Sequence, residues 1–366
     1  MADTLPEDLL VEILLRLPVK SVLRFRCVCR SWCSFIASSN FINAHLRHCN
    51  KRDDSLLLVR NYNTVEKKVI YALCHDNETL DEIMRIDFPV TSQNQFYRIL
   101  GCVNGLVCLI DDIGRGTDHM LLWNPLLRRS IHIPKPNIAP DQLLHKTPVY
   151  GFGCGRFTDD CKILRILCPN EKSVINRSKP LIEIFRLGKG FWENLDLSVS
   201  FTQLDSRQAY LNGAIHWLSY RNLIAAFDVD TEVFTDIKLP NDLQNSSLHC
   251  LIIAAWRKSL SVFEVHYPGD FCLWVKKEYN VEGSWSRLFT VKSFGVSRWI
   301  GSLRKNGQVL LVENGYQLVS YDPETNQITD SAIKQPGAFR VFHMKPYTES
   351  LVLLDRVDAG PVVVME

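Results

Sequence analysis

Two apolar rhythms divide the chain. The first, "LPEDLLVEILLRLPVKSVLRFRCVCRSW" from Leu5 to Trp32, is helical. At 100° per residue, Leu9, Leu10, Ile13, Leu14 and Leu17 fall within an arc of about 140°, and Val11 and Leu15 form a second, smaller apolar face. Thr4 and Glu7 have the T-x-x-E spacing of a capping box, with Pro6 tolerated in the first turn, so a helix is predicted to begin there. Pro18 stops it. Val19 to Arg26 predicts a second short helix, Val28 to Ile36 a third that carries Trp32, and Ser39 a cap for a fourth from about Asn40 to His48. A helix apolar on two faces needs covering on two sides, and so short a bundle cannot supply both. Something else is therefore expected to lie against it.

From Ser55 onward the rhythm changes to short apolar or alternating runs broken by Asn, Gly, Asp and Pro, which predicts strands and turns. A strand-turn-strand unit recurs in "LLWNPLLRRSIHIP", "IEIFRLGKGFWENLD", "IAAFDVDTEVFTDIKLP", "WVKKEYNVEGSWSRLFTV" and "LVSYDPETNQITDSAI". With Asn124, Arg186, Asp228, Asn280 and Asp322 as equivalent turn positions, the intervals are 62, 42, 52 and 42 residues. "VNGLVCLID", "LNGAIHWLS" and "KNGQVLLVE" add Asn-Gly turns followed by apolar strands, suited to tight hairpins because both residues tolerate positive φ. Four strands per roughly fifty residues is the period of a β-propeller blade. Residues 55–73 read as an outer hairpin without an inner pair, and residues 339–355 as an inner pair without an outer hairpin. Joined, they predict a sixth blade made from both ends of the domain, closing the ring and leaving no open sheet edge.

Composition fits this picture. The 366 residues are 46% hydrophobic and 22% charged, with a net charge of +2. That suits a small domain plus a large one and gives no bulk charge for nucleic acid. The amino terminus lacks a basic, cleavable leader, and no run approaches 18 uncharged apolar residues, so the expected location is intracellular, in cytoplasm or nucleus, without a membrane partner. The twelve cysteines, scattered along such a chain, read as reduced thiols, mostly buried.

The pattern L-P-x-D-L-L-x-E-I-L-x-R-L-P-V-K-S-x-L-R-F-R-C-V-C-R-S-W, over Leu5 to about Ile36, closely resembles the F-box. The resemblance implies a small all-α bundle that docks on a Skp-type adaptor and through it reaches cullin and RING subunits of a ubiquitin ligase. Carried onto this sequence, it implies that Leu5, Pro6, Leu9, Leu10, Ile13, Leu14, Leu17, Pro18, Val28 and Trp32 supply or support the adaptor-binding surface. The region beyond resembles the F-box-associated domain of large plant F-box families, including kelch-like members and those of the self-incompatibility locus. "ILGCVNGLVCL" with "LLWNPLLRR", "YGFGCGRFTDDCKILRI" and "LWVKKEYNVEGSWSRLFTV" carry that likeness. It departs in lacking the kelch Gly-Gly doublet and in having Cys154, Gly155 and Arg156 where Tyr and Asp are more usual. The implied organisation is a helical domain over residues 1–48 and an all-β, six-bladed propeller over 49–366. The implied role is a non-catalytic receptor that holds a target protein for ubiquitination. The target is left open, self-incompatibility and immune-receptor turnover being two roles the likeness allows.

Chemistry of its own is not expected. G-x-S-x-G, H-E-x-x-H and Walker-type motifs are absent, and "GFGCGR" has G-x-G-x-G spacing with no helix pattern behind it. Cys27, Cys29, Cys33, His45, His48 and Cys49 cluster in sequence, but no C-x-x-C pair exists and the cysteines fall where a small apolar side chain is wanted. No metal, cofactor or catalytic residue is expected. Cys154, Cys161 and Cys168 repeat every seventh residue, a spacing that alternates faces of a strand. Trp123, Trp192, Trp217 and Trp285 fall at related places in the repeats and are expected to pack between blades. Two other readings compete: an enzyme with its site in the propeller channel, and a scaffold that acts without the ligase.

Overall fold

The computed structural model describes residues 6–51, 56–63, 66–86, 97–111, 119–138, 148–158, 160–168, 179–220, 222–266, 270–291, 296–304, 306–313, 317–334, 343–352 and 363–364. Four helices come first: α1 (Glu7–Arg16), α2 (Val19–Phe25), α3 (Arg30–Ile36) and α4 (Ser39–Cys49). Pro6, with extended ψ, is the N-cap of α1, and Leu10 N–H donates to its carbonyl. The helix thus starts two residues later than a cap at Thr4 requires, and Thr4 and Leu5 lie outside the described residues. α4 is capped by Ser38, not Ser39, because the Ser38 Oγ reaches the Phe41 N–H. α3 begins at Arg30, after a turn over Arg26–Val28, and not at Val28.

The strands follow in six sheets. The closing blade holds β1 (Leu56–Asn63), β2 (Lys68–His75) and β3 (Glu82–Ile86). Blade II holds β4 (Tyr97–Val103), β5 (Leu106–Asp111), β6 (Met120–Asn124) and β7 (Arg129–Ile133). Blade III holds β8 (Val149–Cys154), β9 (Cys161–Leu167), β10 (Leu181–Arg186) and β11 (Trp192–Leu195). Blade IV holds β12 (Leu204–Leu211), β13 (Ala214–Ser219), β14 (Leu223–Asp228) and β15 (Val233–Lys238). Blade V holds β16 (Leu251–Trp256), β17 (Ser259–His266), β18 (Asp270–Lys276) and β19 (Trp285–Val291). Blade VI holds β20 (Val296–Leu303), β21 (Val309–Glu313), β22 (Gln317–Asp322) and β23 (Gln327–Lys334). The last inner strand, β24 (His343–Tyr347), returns to pair with β1, from Leu56 opposite Tyr347 to Arg60 opposite His343. A two-residue strand, β25 (Val363–Val364), pairs with β7 at the outer edge of blade II.

The expected six blades are present, and the closing blade is shared between the two ends of the propeller region. The division differs from the expected two plus two: three strands come from the front and one from the back. β3 escaped notice because it is an outermost strand with mostly exposed or half-buried residues, so it shows little apolar rhythm. Of the Asn-Gly turns, Asn104-Gly105 and Asn212-Gly213 have positive φ at both residues, as a type I′ hairpin requires. At the third, Gly307 has positive φ.

Six apolar cores hold the ring, one between each pair of neighbouring blades. Trp123, Trp192, Trp217 and Trp285 sit in or against these cores. Trp192 and Trp285 occupy equivalent positions, each opening the outermost strand of its blade, and each donates its indole N–H to the preceding blade, to Pro134 O at 2.7 Å and Lys238 O at 2.9 Å. Trp217 lies one strand from the inner edge and reaches back to Tyr150 O, so it is not equivalent to them. Trp123, in a third strand, meets Tyr71 of the closing blade edge to face at 5.4 Å. The glycines of "GFGCGR" answer the same packing: a Cβ on Gly151 would stand 2.1 Å from the Trp217 ring. They are sites of close approach between blades III and IV, with no phosphate-binding geometry.

Ionic and polar pins cross the seams as well. Arg304 of blade VI donates from Nε to Asp76 of the closing blade at 2.7 Å, with both side chains almost wholly buried. Removing one partner leaves an uncompensated buried charge, so Asp76→Ala is expected to cost about 3–5 kcal/mol of stability by denaturant unfolding. Glu12→Ala, which breaks the exposed Arg16–Glu12 pair, should cost no more than about 0.5 kcal/mol. Equal losses would contradict the argument. Buried histidines add a pH dependence. His216 donates from Nδ1 to Ala209 O and accepts the Tyr279 hydroxyl at Nε2, and burial lowers its pKa to about 4. Burial, with the charges of Arg60, Lys345 and Arg98, lowers His343 to about 3. Below the ordinary value of 6.5 the unfolded chain takes up protons that the folded chain refuses, so stability falls as pH drops from about 6.5 toward 4. His216→Gln should flatten that part of a melting-temperature profile.

Candidate adaptor-binding surface and the propeller face beside it

The helical domain has its own core, and the propeller completes it. Leu14 is 1% exposed and packs with Val19, Val22, Ile36, Phe41 and Leu351, the last from the segment after β24. Leu126 and Leu127, from the turn between β6 and β7, pack against the same cluster. Val19 N–H donates to the Glu349 carboxylate at 3.2 Å, tying the start of α2 to that same segment. His45 is buried and its Nε2 lies 2.9 Å from Leu17 O, an acceptor only, so Nε2 carries the proton. Nδ1 then accepts from the Cys49 thiol. His45 thus ties α4 to the end of α1, and Cys49 supports it from within α4. Among the described residues, no metal-ligating group forms from Cys27, Cys29, Cys33, His45, His48 and Cys49.

With one side seated on the propeller, the other is bare. Leu9 is 54% exposed, Ile13 51% and Val28 61%, while Leu10, Leu17 and Trp32 are half-buried at the edge of the core. Trp32 stacks obliquely on Phe25 with ring centroids 5.4 Å apart. Pro6 and Pro18 are exposed N-caps of α1 and α2 and fix where each helix begins. Leu9 and Ile13 stand four residues apart, hence on one face of α1, where Arg16 and Glu12 flank them as an exposed ion pair. Large side chains left half in water are unfavourable by about 1 kcal/mol each relative to burial, which is free energy a partner recovers on docking.

The propeller face next to the bundle is also specific. In an antiparallel meander the first and third turns of a blade emerge at the same end. The bundle sits at that end, because Gly105 in the first turn of blade II abuts Ser350 and Leu126 and Leu127 occupy its third turn. On blade III the same end presents Phe157, 81% exposed in the first turn, and Phe191, 52% exposed in the third. Arg156 lies over the Phe157 ring at 5.4 Å and Lys189 over Phe191 at 5.9 Å.

The Phe157 turn is held firmly. Asp230 of blade IV accepts from the backbone N–H groups of Arg156, Phe157 and Thr158 and from the Thr158 hydroxyl. Partial burial pushes the Asp230 carboxyl up, but these hydrogen bonds outweigh it and leave its pKa below the ordinary value. Beside it, Glu232 is held down at about 2, chiefly by its hydrogen bonds with Arg186, against partial burial and with help from Lys162. Cys154 and Cys161 close the base of the turn as a disulfide, their Cα atoms 4.0 Å apart. This corrects the expectation of twelve reduced thiols. Seven-residue spacing alternates faces only within one strand, whereas Cys154 ends β8, Cys161 begins β9, and the hairpin register sets them directly opposite.

Two family models match the chain. Residues 44–355 match the F-box associated beta propeller domain, and residues 3–43 match the F-box domain. The chain belongs to the F-box proteins of this propeller family. The F-box protein CPR1 of Arabidopsis thaliana is 26% identical to it, with 90% of this chain and 85% of the relative aligned. The Arabidopsis F-box/kelch-repeat protein At3g23880 is 25% identical over 87% of each chain. Among solved structures, a putative 6-phosphogluconolactonase from Bacteroides uniformis aligns with a TM-score of 0.41 at 9% identity, covering 81% of this chain and all of that one. Among the described residues, no helix of this F-box protein is long and apolar enough to cross a membrane.

Sequence reasoning missed the propeller residues that seat the F-box and the aromatic pair beside it. A signal was present: "NPLLRR" and "GRFTDD" place Leu126, Leu127 and Phe157 in turns, where polar residues are the rule. Asp230→Ala should release the Phe157 turn without unfolding the F-box protein. Hydrogen exchange at Arg156, Phe157 and Thr158 is expected to rise at least tenfold while the strands of blade III stay protected, and unchanged exchange would show that Asp230 does not hold the turn.

Proposed function

We propose that this F-box protein is the substrate-recognition subunit of a Skp-cullin-F-box ubiquitin ligase, a receptor without catalytic residues of its own. The observation that carries the reading is the bare apolar surface of Leu9 and Ile13 on one face of α1, with Val28 exposed in the turn after α2, on a bundle that packs against the propeller through Leu14 and its neighbours. This surface is the docking site for a Skp-type adaptor, with Pro6, Leu10, Leu17, Pro18 and Trp32 contributing and Leu14 supporting it from the core; Leu5, outside the described residues, is assigned to it by the family pattern alone. The adaptor brings the cullin and RING subunits, and the complex works inside the cell. Catalysis is then a matter of proximity: a target lysine held near the charged conjugating enzyme reacts at a raised effective concentration. A bundle that could swing freely would dilute that advantage, and the contacts of Leu126, Leu127, Leu351 and Glu349 oppose swinging.

The target is taken on the end of the propeller that also carries the F-box, with Phe157 and Phe191 as anchors. Exposed aromatic side chains on a pre-ordered turn lose little conformational freedom on binding, which suits them to dominate an interface. The opposite end would place the target across the thickness of the propeller from the ligase.

The test is co-expression with a Skp-type adaptor, followed by size-exclusion chromatography. The wild type should co-elute one to one, and Leu9→Asp or Ile13→Asp should lose the adaptor while the propeller stays folded by circular dichroism. Retained binding in both variants would refute the assignment. Phe157→Ala with Phe191→Ala should keep the adaptor and lose proteins whose ubiquitination depends on the wild type; unchanged ubiquitination would move the target site elsewhere.

A further inference from the structure

Blade V carries a group of side chains that neither adaptor docking nor target capture uses. In the register of β17 and β18, Glu264 stands opposite Cys272, and two residues along, His266 stands opposite Asp270. Residues two apart on a strand share a face, and so do directly opposed residues, so all four project from one side of this hairpin. A carboxylate oxygen of Glu264, a ring nitrogen of His266 and Sγ of Cys272 all lie within 4.8 Å of one another. His266 Nε2 is 3.3 Å from Glu264 Oε2. The thiol is buried, the carboxylate mostly so, and the imidazole is half-open to solvent.

We propose that Glu264, His266 and Cys272 form a binding site for a single zinc ion. A thiol, an imidazole and a carboxylate whose ligand atoms meet within 4.8 Å are a donor set that suits a tetrahedral zinc centre, and this mixture of soft and hard donors disfavours magnesium and calcium. Two ligands already have the outer partners such a centre needs. Ser246 Oγ donates to the other Glu264 oxygen at 2.5 Å, and Thr290 Oγ1 lies 3.3 Å from Cys272 Sγ. The alternative, an ordinary Glu264–His266 surface pair, leaves the convergence of a buried thiol on the same point without a role. On binding, the Cys272 thiol gives its proton to solvent and His266 binds as the neutral imidazole, so the ion meets two negative ligands and one neutral one. The fourth position falls to water or to the Asp270 carboxylate. Such an ion clips β17 to β18 at one end of their hairpin, a stabilising role independent of the ligase reading. It was invisible to a search for C-x-x-C spacing, because E-x-H on one strand and Cys on the next converge only through the sheet register.

The experiment uses the purified full chain, dialysed free of metal and then titrated with zinc and, separately, with cobalt(II). The expected result is one zinc per chain, a higher melting temperature with zinc, and a sulfur-to-cobalt charge-transfer band with the strong visible absorption of tetrahedral cobalt. Cys272→Ser should abolish the charge-transfer band. His266→Ala, at an exposed side chain that cannot unfold the blade, should weaken binding at least tenfold. Ser246→Ala, which removes an outer partner, should weaken it about tenfold. Failure to bind stoichiometric zinc at micromolar concentration overturns the proposal. So does stoichiometric zinc that His266→Ala and Cys272→Ser leave unchanged, since the ion would then sit on other cysteines.

Discussion

The pairing of β24 with β1 is the contact on which the rest of the molecule depends. A propeller is a ring of sheets that each bury their faces only against neighbours, so an unclosed ring leaves two apolar faces and two strand edges in water. Here the seam joins the two ends of the propeller region, and Arg304 to Asp76 pins the neighbouring blade across it. The seam has a second consequence. The helices precede β1 within a few residues, and the segment carrying Glu349 and Leu351 follows β24 within a few residues. The same strand pair that closes the ring therefore brings the helical bundle next to the segment of residues 349–351 that helps to seat it. Closure of the ring and seating of the bundle are thus coupled.

Between the other blades the constraint is repeated in a different currency. Flat apolar faces alone allow neighbouring sheets to slide, because hydrophobic attraction has no direction. Indole N–H groups reaching a carbonyl of the adjacent blade add direction, as at Trp192, Trp217 and Trp285, and Trp256 does the same toward Gly307 in blade VI. Each leaves a bulky ring in the core and satisfies its one polar atom across the interface. The cost is paid in side-chain volume, which is why Gly151 faces Trp217.

What the sequence made legible follows from locality. The single helices and hairpins rest on residues within ten or so positions of one another, the F-box pattern and the blade period on the order in which such units follow, and they match the helices, sheets and family assignments. What stayed hidden depends on pairings across the ring. β3 is an outer strand with little burial, so periodicity passed over it and the closing blade was divided wrongly. The spacing of Cys154 and Cys161 reads as accidental within one strand, whereas the hairpin register sets them opposite each other on neighbouring strands. The adaptor strip is the intermediate case. The family pattern named ten positions together, but only burial separates Leu14, which the bundle keeps for itself, from Leu9, Ile13 and Val28, which it leaves bare. For Leu14 and Ile13, adjacent in sequence, the whole difference is the 100° between successive side chains on α1.

Rigidity explains why exposed apolar residues are tolerable in this chain. An isolated two-faced bundle would be too small to hold its shape and would offer all its leucines to any apolar surface. Seated on the propeller, it keeps Leu14, Val19, Val22, Ile36 and Phe41 covered and limits the bare positions to a strip bordered by Arg16 and Glu12. Phe157 follows the same logic at smaller scale: the disulfide and the Asp230 hydrogen bonds order the turn, so one aromatic ring stands out from a fixed base. In both places the entropy of ordering is lost during folding, before any partner arrives, and binding is spared that cost. In the proposed receptor role such pre-ordering counts for more than added contact area, because the output depends on the geometry between two sites.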